Sequence, residues 1–399
     1  MKRVMGLTLL ISALIFAWMS PISQAGEKTG ITDKEILIGG IGPVTGPASN
    51  LGAAVQYAGF LATKQINEAG GIHGRKIKYI MADDVCASSQ GLGAAKKLVY
   101  SDKVFAIHGL TCTHVGLAIR PILEKEGVPI VITVAQGDKL LIPHSKYLFR
   151  VLPPTNITGN LMGIFMNKYF SNKYTKVAIL LTQEEYGTSG RDGLVSRLSK
   201  YGIKPLAIET HKIGDTDYSS QILKIKAVDP EVFFILSYVK DMGVIIKQSH
   251  ELGLNCVKIG YLGSDFPLIA EMGGPEAVKD FYGPTSVLDA IHSDTIKSFV
   301  DMYKKEYPDY MKNPFNPTSS DIGSYVAMQV MAEALKRAGR DLTRTKYIAA
   351  LESMKGFKTP WYPPITFSAT DHEGCKEEVF LRYVNGEAKK IDMEIKMED

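Results

Sequence analysis

The chain has 399 residues, 45% hydrophobic and 22% charged, with a formal net charge of +4. That is the composition of a globular protein with a sizeable core, not of a disordered chain. So small a positive balance gives no footing for a nucleic acid or a membrane surface. Two of the charges, Lys2 and Arg3, head an apolar stretch from Val4 to about Met19 that Pro21 breaks, and Ser23-Gln24-Ala25 then offers the small residues a signal peptidase requires. The stretch falls short of the ~20 residues a membrane span takes, and no Cys stands at the cleavage point to carry a lipid. Residues 1–25 are therefore expected to be an export leader, removed after Ala25 to leave a soluble periplasmic product.

From there, short β-branched runs alternate with amphipathic segments. Strands are expected at Glu35–Gly39, Lys76–Ala82, Val104–His108 and Pro129–Val134, and helices at Leu51–Asn67, Ser89–Tyr100 and Val115–Lys125. This rhythm predicts a parallel, doubly wound sheet. Pro153-Pro154 interrupts it. A second α/β unit comes next, with helices at Asn156–Phe170, Ser189–Lys200, Tyr218–Val228 and Gly243–Leu252 and strands at Lys176–Leu181, Lys204–Glu209, Val232–Leu236 and Lys258–Leu262. The tail reads as helices Ser293–Glu306, Ser319–Gly339 and Thr345–Lys355, then strands Val379–Val384 and Ala388–Asp392 joined across Asn385-Gly386, a strong hairpin signal.

Ligands of such sheets bind beyond the carboxyl ends of the strands, so the residues just past each strand are the candidates. After the first strand, Gly40-x-Gly42-x-x-x-Gly46 is not a GxGxxG fingerprint and prolines interrupt it, so no nucleotide cofactor is expected. After the third strand, Thr111-Cys112-Thr113-His114 opens a helix. Hydroxyls and free N–H groups at a helix N-terminus suit a carboxylate. Cys112 is the natural partner of Cys86, because adjacent parallel strands bring their ends together, and with Cys112 bridged a metal at His108 and His114 is not expected. After the fourth strand come the small residues of Ala135-Gln136-Gly137. The second unit contributes Tyr186, Tyr238 and Asp265, each close after a strand. A helix end for a carboxylate, Asp265 for an ammonium and tyrosine rings for the apolar part would together suit a zwitterion. No GxSxG elbow, HExxH or Ser/His/Asp constellation is evident, so an enzyme is not expected.

Ile38–Gly52, Asn67–Gly74, Asp83–Cys86 with Gly109–Thr113, Glu185-Tyr186-Gly187 and Thr366–Gly374 carry a resemblance over nearly the whole mature chain. It is similar to the periplasmic substrate-binding proteins of branched-chain amino acid ABC transporters, of the Leu/Ile/Val-binding type. The resemblance implies two doubly wound α/β lobes joined by a three-crossover hinge, a Venus-flytrap. The first lobe would be 26–152 plus 286–361, and the second 153–285 plus 362–399. It implies a monomer without cofactor or metal that closes on a small ligand and meets a membrane permease. By position, Thr113 would hold the ligand carboxylate, Ala135 would contribute backbone, Tyr186 and Tyr238 would be the aromatics of the second lobe and Asp265 would bind the ammonium. Gln136 belongs to the same loop. Gly137 stands where the family has Thr, Leu51 where it has an aromatic, and Asp265 where it has Glu. Cys86–Cys112 matches the family's disulfide, whereas Cys256 and Cys375 have no counterpart and leave a second bridge open. The departures also leave open an amine-free acid or amide as ligand, or a sensor that docks on a receptor.

Overall fold

The computed structural model describes residues 24–46, 48–261, 266–279 and 281–397. The expected leader, but for its last two residues, and Asp265 lie outside them. The first part of the chain runs α1 (Gln24–Glu27), β1 (Glu35–Gly42), α2 (Ser49–Glu68), β2 (Lys76–Asp83), α3 (Ser88–Lys96), β3 (Ala106–Gly109), α4 (Thr113–Glu126), β4 (Ile130–Ile132) and β5 (Leu148–Arg150). The next runs α5 (Thr155–Tyr169), β6 (Val177–Thr182), α6 (Glu185–Lys200), β7 (Ala207–His211), α7 (Ser219–Ala227), β8 (Val232–Leu236), α8 (Val239–Glu251), β9 (Val257–Gly260), α9 (Phe266–Gly273) and β10 (Phe281–Thr285). The last comprises α10 (Asp294–Glu306), α11 (Ser319–Ala338), α12 (Arg344–Glu352), β11 (Val379–Val384) and β12 (Glu387–Lys390).

Among the described residues these strands form two sheets. The first is parallel throughout, in the order β2-β1-β3-β4-β5. The second has the order β12-β11-β10-β9-β8-β6-β7 and is parallel from β7 to β10, with the β11–β12 hairpin added antiparallel at one edge. The α/β, doubly wound expectation is thus borne out. Central strands covered on both faces need continuous apolar runs, and β6 (VAILLT) and β8 (VFFIL) are buried at every position. Element ends obey local chemistry. Gly127 at φ 63° closes α4 with its N–H on the Leu123 carbonyl. Asn385 and Gly386 at φ 51° and 87° make the tight hairpin turn. Thr318 and Asp321 cap α11 reciprocally.

One face of the first sheet buries Ile38, Val131 and Phe149 against Phe299 of α10, Tyr325 of α11 and Tyr347 of α12. Its other face packs on α3 and α4. Tyr362, Ile365, Phe367 and Cys375 join that first core. The second sheet has its own core, in which Phe165 of α5 stacks on Phe380 of β11 at 4.2 Å.

Several expected elements shift. β5 and β10 are additional strands: β5 has three residues, and β10 contains the Gly283-Pro284 pair that reads as a breaker. Helices α6 and α8 start at Glu185 and Val239, four residues ahead of expectation. Both begin with acidic residues in the first turn, where the helix dipole favours them. The two helix starts therefore reach to the strand ends.

In each sheet the order reverses beside the first strand of its unit, between β1 and β3 and between β6 and β8. These switch points leave a crevice at the carboxyl ends of the strands.

Candidate ligand-binding cleft

A cavity of about 150 Å³ lies at these switch points, walled by both units. From the first unit come Leu51 at the start of α2, Thr111 and Cys112 after β3, and Val134 and Gln136 after β4. From the second come Tyr186 in the first turn of α6, Ile213 and Gly214 after β7, and Tyr238 just before α8. The Tyr186 and Tyr238 rings stack at 4.6 Å, and Tyr261 meets Tyr186 edge-on at 5.0 Å. The Tyr238 hydroxyl is buried without a hydrogen-bond partner. Burial pushes its pKa up, so it stays a neutral donor.

Four residues singled out from the sequence, Leu51, Gln136, Tyr186 and Tyr238, line this cavity. Thr113, Ala135 and Gly137 are brought beside it but are not part of its lining. The Thr113 hydroxyl accepts from the Gly137 N–H at 3.2 Å. A side chain at Gly137 would collide with the Thr113 methyl group, so the glycine and the inward-turned threonine go together. The loop is fixed from behind by the fully buried Arg150, which donates to the Gly137 carbonyl at 2.9 Å and the Ala135 carbonyl at 3.4 Å. Arg150 is paired with Glu373 through two bonds of 2.6 and 2.8 Å. The Gln136 amide is also committed, donating to the Pro153 carbonyl at 2.9 Å.

Asp241, in the first turn of α8, is a lining residue that sequence reading missed. One of its oxygens accepts from the Gly214 N–H and the Tyr218 hydroxyl, each at 3.1 Å. The other is buried without a partner, and burial raises its pKa. The signal is available: it is the acid at the third position of a helix that the apolar spacing starts four residues later.

The units also touch across the cleft. His114 lies 3.1 Å from Glu184, and Lys139 2.7 Å from Glu185. The Glu184 carboxylate raises the His114 pKa, with burial opposing it.

The Cys86–Cys112 disulfide is present, with Cα atoms 5.7 Å apart, as expected, and both residues line the cavity. The second bridge is not made. Cys256 and Cys375 are free, and they cannot meet because Cys375 is buried in the core of the first sheet while Cys256 packs on that of the second. His108 is a core residue, bonded to the Tyr79 hydroxyl at 2.9 Å and the Ser324 carbonyl at 2.8 Å. Among the described residues no group of three or more His, Cys, Asp or Glu side chains is gathered to hold a metal.

The fold and this two-sided cleft define a class, and residues 35–388 match the model of the periplasmic binding protein family. The chain belongs to that family. It is 27% identical over 362 residues to a protein named Leu/Ile/Val-binding protein homolog 3 of Brucella melitensis, covering 90% of this chain and 93% of that one. Among solved structures it shares its fold with the branched-chain amino acid transporter substrate-binding protein LivJ of Streptococcus pneumoniae, in complex with isoleucine (TM-score 0.77, 23% identity, 90% of this chain and 99% of that one). It shares it equally with a fatty acid ABC transporter substrate-binding protein of Thermomonospora curvata (TM-score 0.81, 20% identity, 94% and 95%).

Proposed function

We propose that this protein is an extracytoplasmic solute-binding protein that captures a small ligand, a branched-chain or other aliphatic amino acid, in the cleft and delivers it to an ABC transporter permease. The observation that carries the reading is the cavity walled by strand-end residues of both units around the stacked Tyr186 and Tyr238. A ligand that contacts both walls binds the closed form preferentially and so drives closure, with no chemistry required. In this reading the aromatic pair and Leu51 take the aliphatic part, the Thr113 and Ala135–Gly137 segment takes the carboxylate, and Asp265 takes the ammonium. The lobe division, 26–152 plus 286–361 against 153–285 plus 362–399, remains part of the proposal, although Tyr362, Ile365, Phe367 and Cys375 pack in the first core.

A second reading, an amine-free acid or amide as ligand, is supported by a neighbour of the same fold that is named a fatty acid ABC transporter substrate-binding protein.

A thermal-shift screen of the mature protein separates the readings, using the twenty amino acids and a panel of small aliphatic and aromatic acids and amides. A ligand at ~100 times its Kd stabilises by about 2.7 kcal/mol, a readable shift. Hits among aliphatic amino acids, weakened by Asp265→Ala, support the first reading. Hits confined to amine-free compounds favour the second. No hit in either group counts against both.

A further inference from the structure

Behind the Tyr186 ring lies a smaller compartment of about 40 Å³ that shares Val134, Gln136, Tyr186 and Ser320 with the cleft. Its walls are unlike those of the main cavity. Thr133, Thr155, Thr158, Thr285 and Ser286 bring hydroxyl-bearing side chains to it, and Glu378 closes it. Glu378 is only 6% exposed, and one of its carboxylate oxygens is buried without a hydrogen-bond partner. The Thr133 hydroxyl is unpartnered as well. The Thr158 hydroxyl faces Glu378 and eases its burial. Among the described residues no Lys, Arg or His pairs with Glu378. Two helix N-termini reach the compartment, but each is already answered by its own carboxylate. Asp138 accepts from the second residue of α5 at 3.2 Å, and Asp321 caps α11. The carboxyl left without a compensating partner is therefore that of Glu378.

We propose that this compartment takes a singly charged cation of ammonium size on Glu378, supplied either by an amine of the ligand, with Glu378 then taking the place given above to Asp265, or by a free monovalent cation. The volume admits one such group or a water or two, about the space a small polar cavity gives to solvent. The donor set is hard oxygen only, which suits an ammonium or an alkali cation. Its ligand arm rests on the cleft being the ligand site, and its free-cation arm does not. Burial holds the Glu378 pKa up at about 8, so the empty site is mostly protonated at pH 7 and must release a proton to take a cation. The ionisable groups facing it are Tyr261, Tyr362 and Cys375, all kept neutral by burial. Affinity for a cation should then rise by about tenfold per pH unit up to that pKa and level off above it.

The test is calorimetric titration of wild type and Glu378→Gln with L-leucine and with 4-methylpentanoate, its amine-free counterpart, from pH 6 to 9. In parallel, melting is followed in sodium, ammonium or choline chloride at equal ionic strength, choline being too large for the compartment. The ligand arm predicts that Glu378→Gln weakens leucine by about tenfold or more, abolishes its pH slope and spares 4-methylpentanoate. The free-cation arm predicts stabilisation by sodium or ammonium over choline in the wild type alone. Leucine binding unchanged in Glu378→Gln, with no salt specificity, overturns this inference and leaves the proposed function standing. Failure of both probes with a salt effect that depends on Glu378 does the reverse. Failure of every arm overturns both. Should Glu378→Gln fold poorly, Thr158→Val, which also lines the compartment, serves as the second variant.

Discussion

Arg150 shows how much a single side chain can settle. It is fully buried, and its guanidinium bonds to two carbonyls of the Ala135–Gly137 loop and pairs with Glu373 through two bonds. A buried pair of this kind adds little net stability, but removing one partner strands the other charge in the interior. Glu373→Ala should therefore cost about 3–5 kcal/mol, read as a lower urea midpoint, and should loosen the loop that carries Gly137. A midpoint equal to wild type would show that the guanidinium finds another partner. Nothing in the sequence around Arg150 marks this pairing, because the two residues lie 223 positions apart.

At the level of elements, the chain was legible wherever burial imposes a period. The helices of the first unit and the β11–β12 hairpin stand close to where their apolar spacing and turn residues put them. What escaped was set by contacts made elsewhere. β10 is a strand because β9 on one side and β11 on the other complete its hydrogen bonds, despite Gly283-Pro284. The early starts of α6 and α8 go instead with the acidic residues of their own first turns, and they matter more, since they put Tyr186 and Asp241 in first helical turns rather than in loops. Gln136, Tyr186 and Tyr238 owe their place in the cleft to their place in the chain, and inspecting the residues just past each strand finds them, whereas Leu51 comes only from the family resemblance. Glu378 could not be found that way. It sits in Lys376-Glu377-Glu378, a charged run that reads as solvent-facing, and only the tertiary fold turns the last of the three inward. Helices α5 and α6 approach so closely that a side chain at Gly159 would collide with the Gly190 carbonyl, a constraint equally silent in one sequence.

Over the whole molecule, the contacts between the two units include one that titrates. The His114–Glu184 pair bridges α4 of the first unit and the start of α6 in the second. Glu184 raises the His114 pKa above its ordinary 6.5. A raised folded-state pKa means that the pair contributes fully below pH ~6.5 and is lost as pH rises through the higher value. The other ionisable group near His114 is Asp84, which burial raises to about 6 and which also favours the charged imidazole. The ligand-free protein should therefore be more closed at pH 6 than at pH 9, with a smaller radius of gyration in solution scattering. His114→Asn should remove most of that difference, and a variant that keeps it would shift the cause to another pair. Lys139–Glu185 is the neighbouring contact between the units.

The Cys86–Cys112 bond can be read as an address label. Both cysteines stand in the wall of the cleft, and the bond forms only where oxidants are present. A copy held in a reducing compartment would carry that wall untied and, under the function proposed above, would bind its solute less well. Titrating one ligand with and without reductant measures this directly, and equal affinities would strip the bond of any such role.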